Sequence, residues 1–482
     1  MTTARSVAAV DFGATSGRVI VGRVSADNLE ATTVARFANS PVRTRDGLHW
    51  DILGLYGAAL AGLREAFRTD PDIRSIGIDS WAVDYALLRQ GRLLGEPFHY
   101  RDDRTRRGTG IVHSRASHDR LYERNGLQYL PFNTVYQLAS EPRELLSFAD
   151  RMLLVPDLLA FWLTGAERAE ATNASTTGLV RSGTRAWDDH LIDLLGLPGR
   201  LFPPIIHPGE RYGELGDGVA ESIGAGPGVT VTAVGSHDTA SAVVAVPMDR
   251  RTAAYISCGT WGLVGVEIDD PVLTDAARSA GFTNEAGVGG RTRFLRNVMG
   301  LWILSEAVRW WEHESGQSID LVALLGEAAT AAPRTVPVFD VDDGRFLAPG
   351  DMAARITAWC AEHGIAAPRT RAEFARSIIE SLATAFAETA KRAGALGGVK
   401  VQEIHVVGGG ALNELLCQRT ADLSGLPVFA GPVEATALGN LLIQARSLGA
   451  ITGDLEQMRG LVQRTHPPRA HRPGERSAPR RR

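Results

Sequence analysis

Residues 7–24 of the chain read VAAVDFGATSGRVIVGRV, in which a glycine-rich turn separates two apolar segments and predicts a β-hairpin. Residues 253–267, AAYISCGTWGLVGVE, repeat this pattern near the middle of the 482 residues. Elsewhere strand-like and helix-like segments alternate, as in the helix that Asp51 can cap and the strand at residues 75–79 that follows it. The pattern predicts an α/β protein with a largely parallel sheet and two similar lobes, each opening with a hairpin.

The boundary between the lobes is predicted near residues 244–252, where a helical pattern ends at a proline and a charged turn follows. We expect an N-terminal lobe over residues 1–245 and a C-terminal lobe over residues 246–464. Residues 465–482 are rich in proline and arginine, which predicts a disordered basic tail.

The composition excludes several classes of protein. Hydrophobic residues make up 44% of the chain and the net charge is −4, so the chain has no general attraction to nucleic acid or to anionic lipid. No apolar run reaches the length of a membrane span, and the N-terminus lacks the features of a signal peptide. Three scattered cysteines predict neither a disulfide framework nor a zinc site. We expect a cytoplasmic protein without a nucleic-acid or membrane partner; its oligomeric state is left open.

The turn of the first hairpin suits a polyphosphate. Its glycines can take positive φ and expose backbone N–H groups, and the side chains add hydroxyl and guanidinium donors. The residues that could hold phosphate are Ala14, Thr15, Ser16, Gly17 and Arg18. Asp11, at the end of the first strand, could hold a magnesium ion, which prefers carboxylate and phosphate oxygens. The alternative is a turn with no role beyond the fold.

Two further turns could face the same nucleotide. Thr260 lies in the turn of the second hairpin, and Gly408, Gly409 and Gly410 join a strand-like segment to a helical one. Because three consecutive glycines are costly to order, the approach of a flat adenosine explains them better than packing alone. The chain contains neither a GxxxxGK[ST] motif nor a GxGxxG fingerprint after a strand, so a nucleotide would bind by another architecture.

Asp238 follows a strand-like segment and precedes a helical one. Ligands bind outside the carboxyl ends of strands in open α/β sheets, and an aspartate there could accept the proton of a sugar hydroxyl during phosphoryl transfer. The position suits a helix N-cap equally well, and the residues alone do not choose between the two interpretations.

Taken in order, these motifs resemble those of the FGGY family of carbohydrate kinases. The resemblance runs from about residue 7 to residue 444. It includes SIGIDSWAVD (75–84), YRDDRT (100–105), GLQYLPFNTVYQL (126–138), PPIIHPGE (203–210), GSHDTASAV (235–243), RNVMGLW (296–302) and GPVEATALGN (431–440). It implies two actin-like lobes with RNase H-like cores, and a cleft between them that holds ATP, Mg²⁺ and a sugar.

The resemblance also implies a role for particular residues. Asp238 would be the general base, and the sugar would be contacted by Trp81, Ala82, His237, Asp238, Thr239 and Asn297. Two residues depart from the family pattern. Ala82 stands where glycine is usual in the sugar site, and Ser305 stands where glutamine is frequent near ATP.

The function that the resemblance implies is the ATP-dependent phosphorylation of L-rhamnulose to L-rhamnulose 1-phosphate in L-rhamnose degradation. A kinase for another ketose, such as fuculose or xylulose, is the alternative within this class. A non-catalytic actin-like protein that binds ATP and senses sugar is the alternative from another class, but it would not require a base at position 238.

Overall fold

The computed structural model describes residues 4–330 and 336–474 of the chain. It divides into two compact units. The first unit comprises Met1–Pro247, Glu267–Phe294 and Ala435–Thr465; the second comprises Met248–Val266, Leu295–Glu434 and His466–Arg482. Each unit is therefore assembled from three separate stretches of the chain, whereas the sequence patterns indicated one division near residue 245.

Within the described residues the strands are β1 (Arg5–Phe12), β2 (Ser16–Val24), β3 (Leu29–Ala38), β4 (Val42–Arg43), β5 (Leu48–His49), β6 (Ile73–Ser80), β7 (Tyr85–Arg89), β8 (Arg92–Leu93), β9 (Arg151–Leu154), β10 (Ala169–Glu170), β11 (Val180–Arg181), β12 (Ala186–Trp187), β13 (Ile205–Ile206), β14 (Arg211–Glu214), β15 (Thr230–Thr232), β16 (Ala253–Cys258), β17 (Trp261–Ile268), β18 (Thr283–Ala286), β19 (Thr292–Met299), β20 (Glu403–Val407), β21 (Val428–Ala430) and β22 (Arg469–His471).

The α-helices in the same part of the chain are α1 (Ile52–Thr69), α2 (Thr105–Arg115), α3 (His118–Asn125), α4 (Thr134–Ser140), α5 (Arg143–Phe148), α6 (Val155–Thr164), α7 (Ala171–Ala174), α8 (Asp189–Leu195), α9 (Asp217–Ile223), α10 (Asp238–Val244), α11 (Asp275–Ser279), α12 (Trp302–Ser315), α13 (Leu321–Thr330), α14 (Met352–Glu362), α15 (Arg371–Gly397), α16 (Glu414–Ser424), α17 (Ala435–Ser447) and α18 (Leu455–Thr465). Short 3-10 helices cover Ser175–Thr177, Gly199–Leu201, Val288–Gly290, Gly344–Phe346 and Gly409–Leu412.

The main sheet of the first unit has six strands in the order β14-β15-β6-β1-β2-β3. The predicted hairpin is confirmed, since β1 and β2 pair in antiparallel register. The prediction of a largely parallel sheet is wrong. Strand β6 is parallel to both β1 and β15, but β2 pairs with β1 and β3 in antiparallel fashion, because the tight turns that join these strands leave no room for a crossover.

Helix α1 begins as its sequence predicts. The side chain of Asp51 caps the helix by accepting a hydrogen bond of 3.0 Å from the backbone N–H of Gly54. Buried residues such as Ile52, Leu55 and Leu63 recur at helical spacing and pack into a core with strands of the sheet.

Helix α17 packs closely against α10 and lies on β1, although both of those elements come much earlier in the chain. Gly439 makes the approach possible: a Cβ atom at this position would lie 1.8 Å from the backbone oxygen of Ser241 in α10. The helix also reaches the sheet through polar groups, because Gln444 Nε2 donates to the backbone oxygen of Ala8 at 3.0 Å. The position of α10 therefore depends on a helix that the chain forms late.

The second unit contains the second predicted hairpin, in which β16 and β17 pair in antiparallel register. From β16 the sheet continues through the parallel strands β20 and β21 to the antiparallel strand β22. Since Arg469–His471 form that last strand, the prediction of a disordered tail is wrong for residues 465–474, which the structure describes. The rest of the predicted tail, residues 475–482, lies outside the described residues.

Among residues 4–330 and 336–474, no helix is both long enough and apolar enough to cross a bilayer. Cys258, Cys360 and Cys417 are buried and free.

Candidate active site

Three carboxylates interact where the parallel strands β1 and β6 of the first unit end. Strands β1 and β6 run parallel, and their register pairs Asp11 with Asp79 one residue before each strand ends. The next residue, Ser80, forms a bridge with His237, which precedes Asp238. Burial raises the pKa of Asp79 well above its usual range, and the neighbouring carboxylates of Asp11 and, more weakly, Asp238 add to the effect.

Asp79 was not predicted as a site residue, although its strand ends in the same way as the strand that carries Asp11. Its side chain is fully buried, and Asn440 Nδ2 of α17 donates to Asp79 Oδ2 at 2.5 Å. Asp79 Oδ1 has no hydrogen-bond partner among the described residues. Asp11 is held differently, because Arg18 Nε donates to its Oδ2 at 2.8 Å across the hairpin.

Thr15 and Ser16 are exposed in the turn between β1 and β2. Asn39, which the sequence patterns did not single out, fixes this turn. Its Nδ2 donates to the oxygen of Gly13 at 2.9 Å and its backbone N–H donates to the oxygen of Thr15 at 3.0 Å. Ala14 and Arg18 are partly exposed.

The predicted positive φ in this turn is wrong, because neither Gly13 nor Gly17 adopts it. Gly17 is buried, and a Cβ there would lie 2.2 Å from the ring of Phe37. Glycine is therefore required at position 17 by the packing of an aromatic ring.

Asp238 is the first residue of α10, and the N-cap position is occupied by His237, whose side chain makes no capping hydrogen bond. The interpretation of Asp238 as an N-cap is therefore wrong. Its side chain is 33% exposed, and Asp238 Oδ1 accepts a hydrogen bond of 3.1 Å from Thr239 Oγ1. A partly exposed carboxylate at the end of the sheet, with no capping role, is available to a ligand.

The segment between β6 and β7 contains Trp81 and Ala82. Trp81 is 6% exposed and packs against Trp50 in a tilted arrangement with ring centroids 4.0 Å apart, whereas Ala82 is partly exposed. The next residue, Val83, has φ of 69°, an unusual conformation for a β-branched side chain. Thr134 Oγ1 donates to the oxygen of Val83 at 2.6 Å and helps to hold that backbone.

The buried carboxyl group of Asp84 binds the same segment. Its Oδ2 accepts hydrogen bonds from the indole N–H of Trp50 at 2.6 Å and of Trp81 at 3.1 Å. Its Oδ1 accepts from Gln137 Nε2 at 2.8 Å. Burial raises the pKa of Asp84 to about 7 against the opposing effect of these hydrogen bonds. The orientation of Trp81 is thus set by a buried carboxyl group.

The carboxylate of Glu170 links the segment just before Asp238 to α7. Glu170 is fully buried, and its carboxylate accepts from the N–H and hydroxyl of Ser236 at 3.0 and 2.8 Å and from the N–H of Thr172 at 2.9 Å. Behind it, Asp157 Oδ1 accepts from Tyr212 at 2.7 Å, while Asp157 Oδ2 has no hydrogen-bond partner within the described part of the chain. Burial raises the pKa of Asp157 from 3.8 to about 8.

The pKa of Asp157 predicts how stability varies with pH. Since the folded protein retains a proton that the unfolded chain releases above pH 3.8, the free energy of unfolding decreases as the pH rises toward about 8. One such proton contributes a slope of up to about 1.4 kcal/mol per pH unit. Asp157→Asn, which resembles the protonated acid, should make the slope shallower. Urea unfolding at about pH 6 and about pH 8 measures this slope in both proteins. Equal slopes in the two proteins would contradict the raised pKa of Asp157.

In the second unit, Thr260 lies next to the start of α12. The backbone N–H of Trp302 donates to the oxygen of Thr260 at 3.3 Å, and that of Leu301 donates to the oxygen of Gly259 at 2.9 Å. Ser305 is exposed on the first turn of this helix. Asn297 is partly buried in β19. The structure thus brings the turn that contains Thr260 and the helix that carries Ser305 together.

The turn of Gly408, Gly409 and Gly410 packs against the end of β16. Gly408 has φ of 79°, and a Cβ on Gly410 would lie 2.3 Å from Cys258 Sγ. Packing and backbone conformation therefore account for two of the three glycines. Gly409 is exposed and would have no atom within 4 Å of an added Cβ, so neither packing nor backbone conformation explains a glycine there.

Residues 6–245 match the N-terminal domain, and residues 254–448 the C-terminal domain, of the FGGY family of carbohydrate kinases. The gluconate kinase structure from Lactobacillus acidophilus superposes with a TM-score of 0.77 at 17% identity, covering 98% of this chain and 94% of that one. The chain belongs to the FGGY family of carbohydrate kinases, whose two-domain actin-like α/β fold it has.

Within the family, the chain is similar to proteins named rhamnulokinase. The protein from Klebsiella pneumoniae is 41% identical over 465 residues, which cover 95% of this chain and 92% of the relative. The protein from Pectobacterium carotovorum is 39% identical over 471 residues, which cover 96% of this chain and 92% of the relative.

Proposed function

We propose that the protein transfers the γ-phosphoryl group of ATP to the C1 hydroxyl of L-rhamnulose, giving L-rhamnulose 1-phosphate and ADP in L-rhamnose degradation in the cytoplasm. The partly exposed carboxylate of Asp238 carries the proposal, because it adjoins the C-terminal end of β6 and caps no helix. The choice of sugar is supported by relatives of this chain that are named rhamnulokinase at 39–41% identity.

Asp238 is the general base of the proposed reaction. It accepts the proton of the C1 hydroxyl while the C1 oxygen forms a bond to the γ-phosphorus and the bond between that phosphorus and the β–γ bridging oxygen breaks. ADP takes the electron pair of the broken bond. Because the chemistry needs little beyond this proton transfer, positioning of the two reactants supplies most of the remaining acceleration.

The phosphates of ATP face the turn of the first hairpin in this proposal. Backbone N–H groups and hydroxyls of that turn, with the guanidinium of Arg18, supply donors, and Thr260 supplies another hydroxyl. The residues proposed for phosphate are Ala14, Thr15, Ser16, Gly17, Arg18 and Thr260. The residues proposed for the adenosine side are Ser305, Gly408, Gly409 and Gly410. These assignments give residues 1–245 the sugar and the phosphate loop, and residues 246–464 the nucleotide.

Asp11 is proposed to hold Mg²⁺. No group of three or more potential ligands that could hold a metal occurs in residues 4–330 and 336–474. One buried carboxylate fits this ion, since Mg²⁺ at nucleotide sites takes one or two carboxylates and completes its shell with phosphate oxygens and water. When bound, the ion neutralises charge on the triphosphate.

Trp81, Ala82, His237, Thr239 and Asn297 are the residues proposed to contact the sugar. Trp81 is nearly buried and can offer the sugar only a small surface, whereas Ala82 beside it is partly exposed. Because the methyl group of Ala82 replaces the hydrogen of a glycine, it narrows the space beside the sugar.

A panel of ketoses tests both the sugar and the role of Ala82. L-rhamnulose should give the highest kcat/KM in a coupled assay of ADP release, ahead of fuculose and xylulose. Ala82→Gly should relax the preference among close analogues by about 1–3 kcal/mol, the usual effect of one methyl group, while the KM for ATP stays unchanged. A native preference for xylulose or fuculose would overturn the proposed sugar but leave a kinase. If no sugar stimulates ADP release, the proposed reaction itself fails.

A further inference from the structure

A buried ion pair lies behind the proposed base, with the ring of His237 between them. His237 Nε2 is 3.4 Å from Asp238 Oδ1. On the other side of the ring, His237 Nδ1 is 3.1 Å from Arg293 Nη2 and 3.3 Å from Glu285 Oε2. All four residues belong to the first unit.

Both side chains of this ion pair are charged although they are buried. Arg293 is completely buried, and its Nη2 lies 3.0 Å from Glu285 Oε2. Burial opposes the charge on Glu285, but the neighbouring Arg293 cation favours it, and the pKa of Glu285 lies below its usual range. Arg293 Nε also donates to the backbone oxygen of Ala286 at 3.2 Å, which fixes the guanidinium in the fold.

The hydrogen bond from Arg293 determines where the proton of His237 lies. A guanidinium is always a donor, so Nδ1 of the ring must accept and carries no proton. In a neutral imidazole the proton is then on Nε2, the nitrogen that faces Asp238. Glu285 does not receive a proton from Nδ1 in this arrangement; it neutralises and orients Arg293.

We propose that Arg293 and Glu285 are positioning residues that hold His237 in its Nε2–H tautomer and thereby orient Asp238. Asp238 Oδ1 then has two partners: the hydroxyl of Thr239, which donates a hydrogen bond of 3.1 Å, and Nε2–H of His237, which makes an electrostatic contact at 3.4 Å. Both hold the carboxylate by the same oxygen, which leaves Oδ2 to accept the proton of the sugar hydroxyl. The positioning role rests on the proposed function, in which Asp238 is the base, but the tautomer of His237 does not.

Nitrogen NMR of protein labelled with ¹⁵N-histidine measures the tautomer directly. His237→Gln identifies the signal. In the native protein at neutral pH we expect a protonated Nε2 and an unprotonated Nδ1. In Arg293→Met we expect a population with Nδ1 protonated, because Glu285 then becomes the partner of that nitrogen. A native His237 that carries its proton on Nδ1, or on both nitrogens, would overturn the inference.

Kinetics test the positioning role. Arg293→Met should lower kcat by roughly 10–100-fold, the usual effect of removing a residue that orients a functional histidine, while the KM for ATP is unchanged. Arg293→Lys retains a donor and should recover part of the loss. If Arg293→Met does not fold, Glu285→Gln and Arg293→Lys provide the same two readouts.

Arg376→Met is the matched control. Arg376 forms a buried ion pair of 2.8 Å with Glu380 and donates to the oxygen of Ala328, and neither of these contacts involves His237 or α10. This variant should keep nearly native kcat and the native tautomer. An equal loss of kcat in the Arg376 and Arg293 variants, with no recovery in Arg293→Lys, would mean that Arg293 acts only through stability and would overturn the proposal. If no ketose is phosphorylated at all, the proposed function fails, and the tautomer still decides this inference.

Discussion

Asp238→Ala is expected to lower kcat by roughly 10²–10⁴-fold, the usual loss when a general base is removed, and to leave ATP affinity nearly unchanged. The side chain is partly exposed and has no capping hydrogen bond, so its removal costs the fold little. Turnover is measured by ADP release with L-rhamnulose, and ATP affinity by calorimetry.

Asp217→Ala is the control for this variant. Asp217 is the first residue of α9, which like α10 has 7 residues and begins without a side-chain cap. Both variants therefore lose the same favourable interaction of a carboxylate with a helix N-terminus. Asp217→Ala should turn over at the native rate. Near-native turnover in Asp238→Ala would show that the carboxylate has no part in the chemistry.

Gly439→Ala is expected to destabilise the protein by about 1–3 kcal/mol or more and to reduce turnover as well. The added Cβ would lie 1.8 Å from the backbone oxygen of Ser241, and neither backbone can yield without moving a helix. Because α10 begins with Asp238, a displacement of α10 also moves the proposed base. Urea unfolding measures the loss of stability, and the coupled assay measures turnover.

Gly57→Ala provides the comparison for Gly439→Ala. Gly57 lies in α1, is exposed, and has no atom within 4 Å of an added Cβ. Replacing it should stabilise the protein by about 0.5–1 kcal/mol, because alanine has less freedom to lose in a helix. If Gly439→Ala unfolds at the same urea concentration as the native protein, the close approach of α17 and α10 does not restrict the side chain at position 439.

Local patterns predicted the elements that carry the candidate site. Both hairpins, the cap at Asp51 and the segment of strand, glycines and helix after residue 403 are local, since each depends on residues near one another in the chain. Asp11 and Asp238 were identified because a carboxylate at a strand end is visible in the sequence itself. The resemblance to the family supplied the roles proposed for Ala82 and Asn297.

The unpredicted features depend on residues that are far apart in the chain. The bond between Asn440 and Asp79 joins residues 361 positions apart, and no local pattern pairs them. Arg293 and Glu285 read as ordinary residues of two strands until the fold brings them to His237. The antiparallel direction of β3 was missed because alternation of strands and helices elsewhere was taken to apply to the whole sheet.

The predictions for two glycines were incomplete for a different reason. Gly17 was interpreted through the freedom of the glycine backbone and Gly410 through the approach of an adenosine, but an added Cβ would meet a neighbouring side chain at each position, Phe37 in one case and Cys258 in the other. A sequence indicates where a side chain is missing without indicating which neighbour occupies its space.

The place of α17 in the first unit has a consequence for synthesis on the ribosome. At ~5–20 residues per second, roughly ten to forty seconds separate the addition of Pro247 from that of Ala435. Throughout this interval the nascent first unit lacks the helix whose Asn440 and Gln444 bind Asp79 and β1. During this interval the surface of the sheet that α17 contacts in the complete protein is uncovered. Chaperones and proteases can act on this nascent intermediate. A chain released before Ala435 cannot complete the unit that contains Asp238, so premature termination yields no partly active kinase.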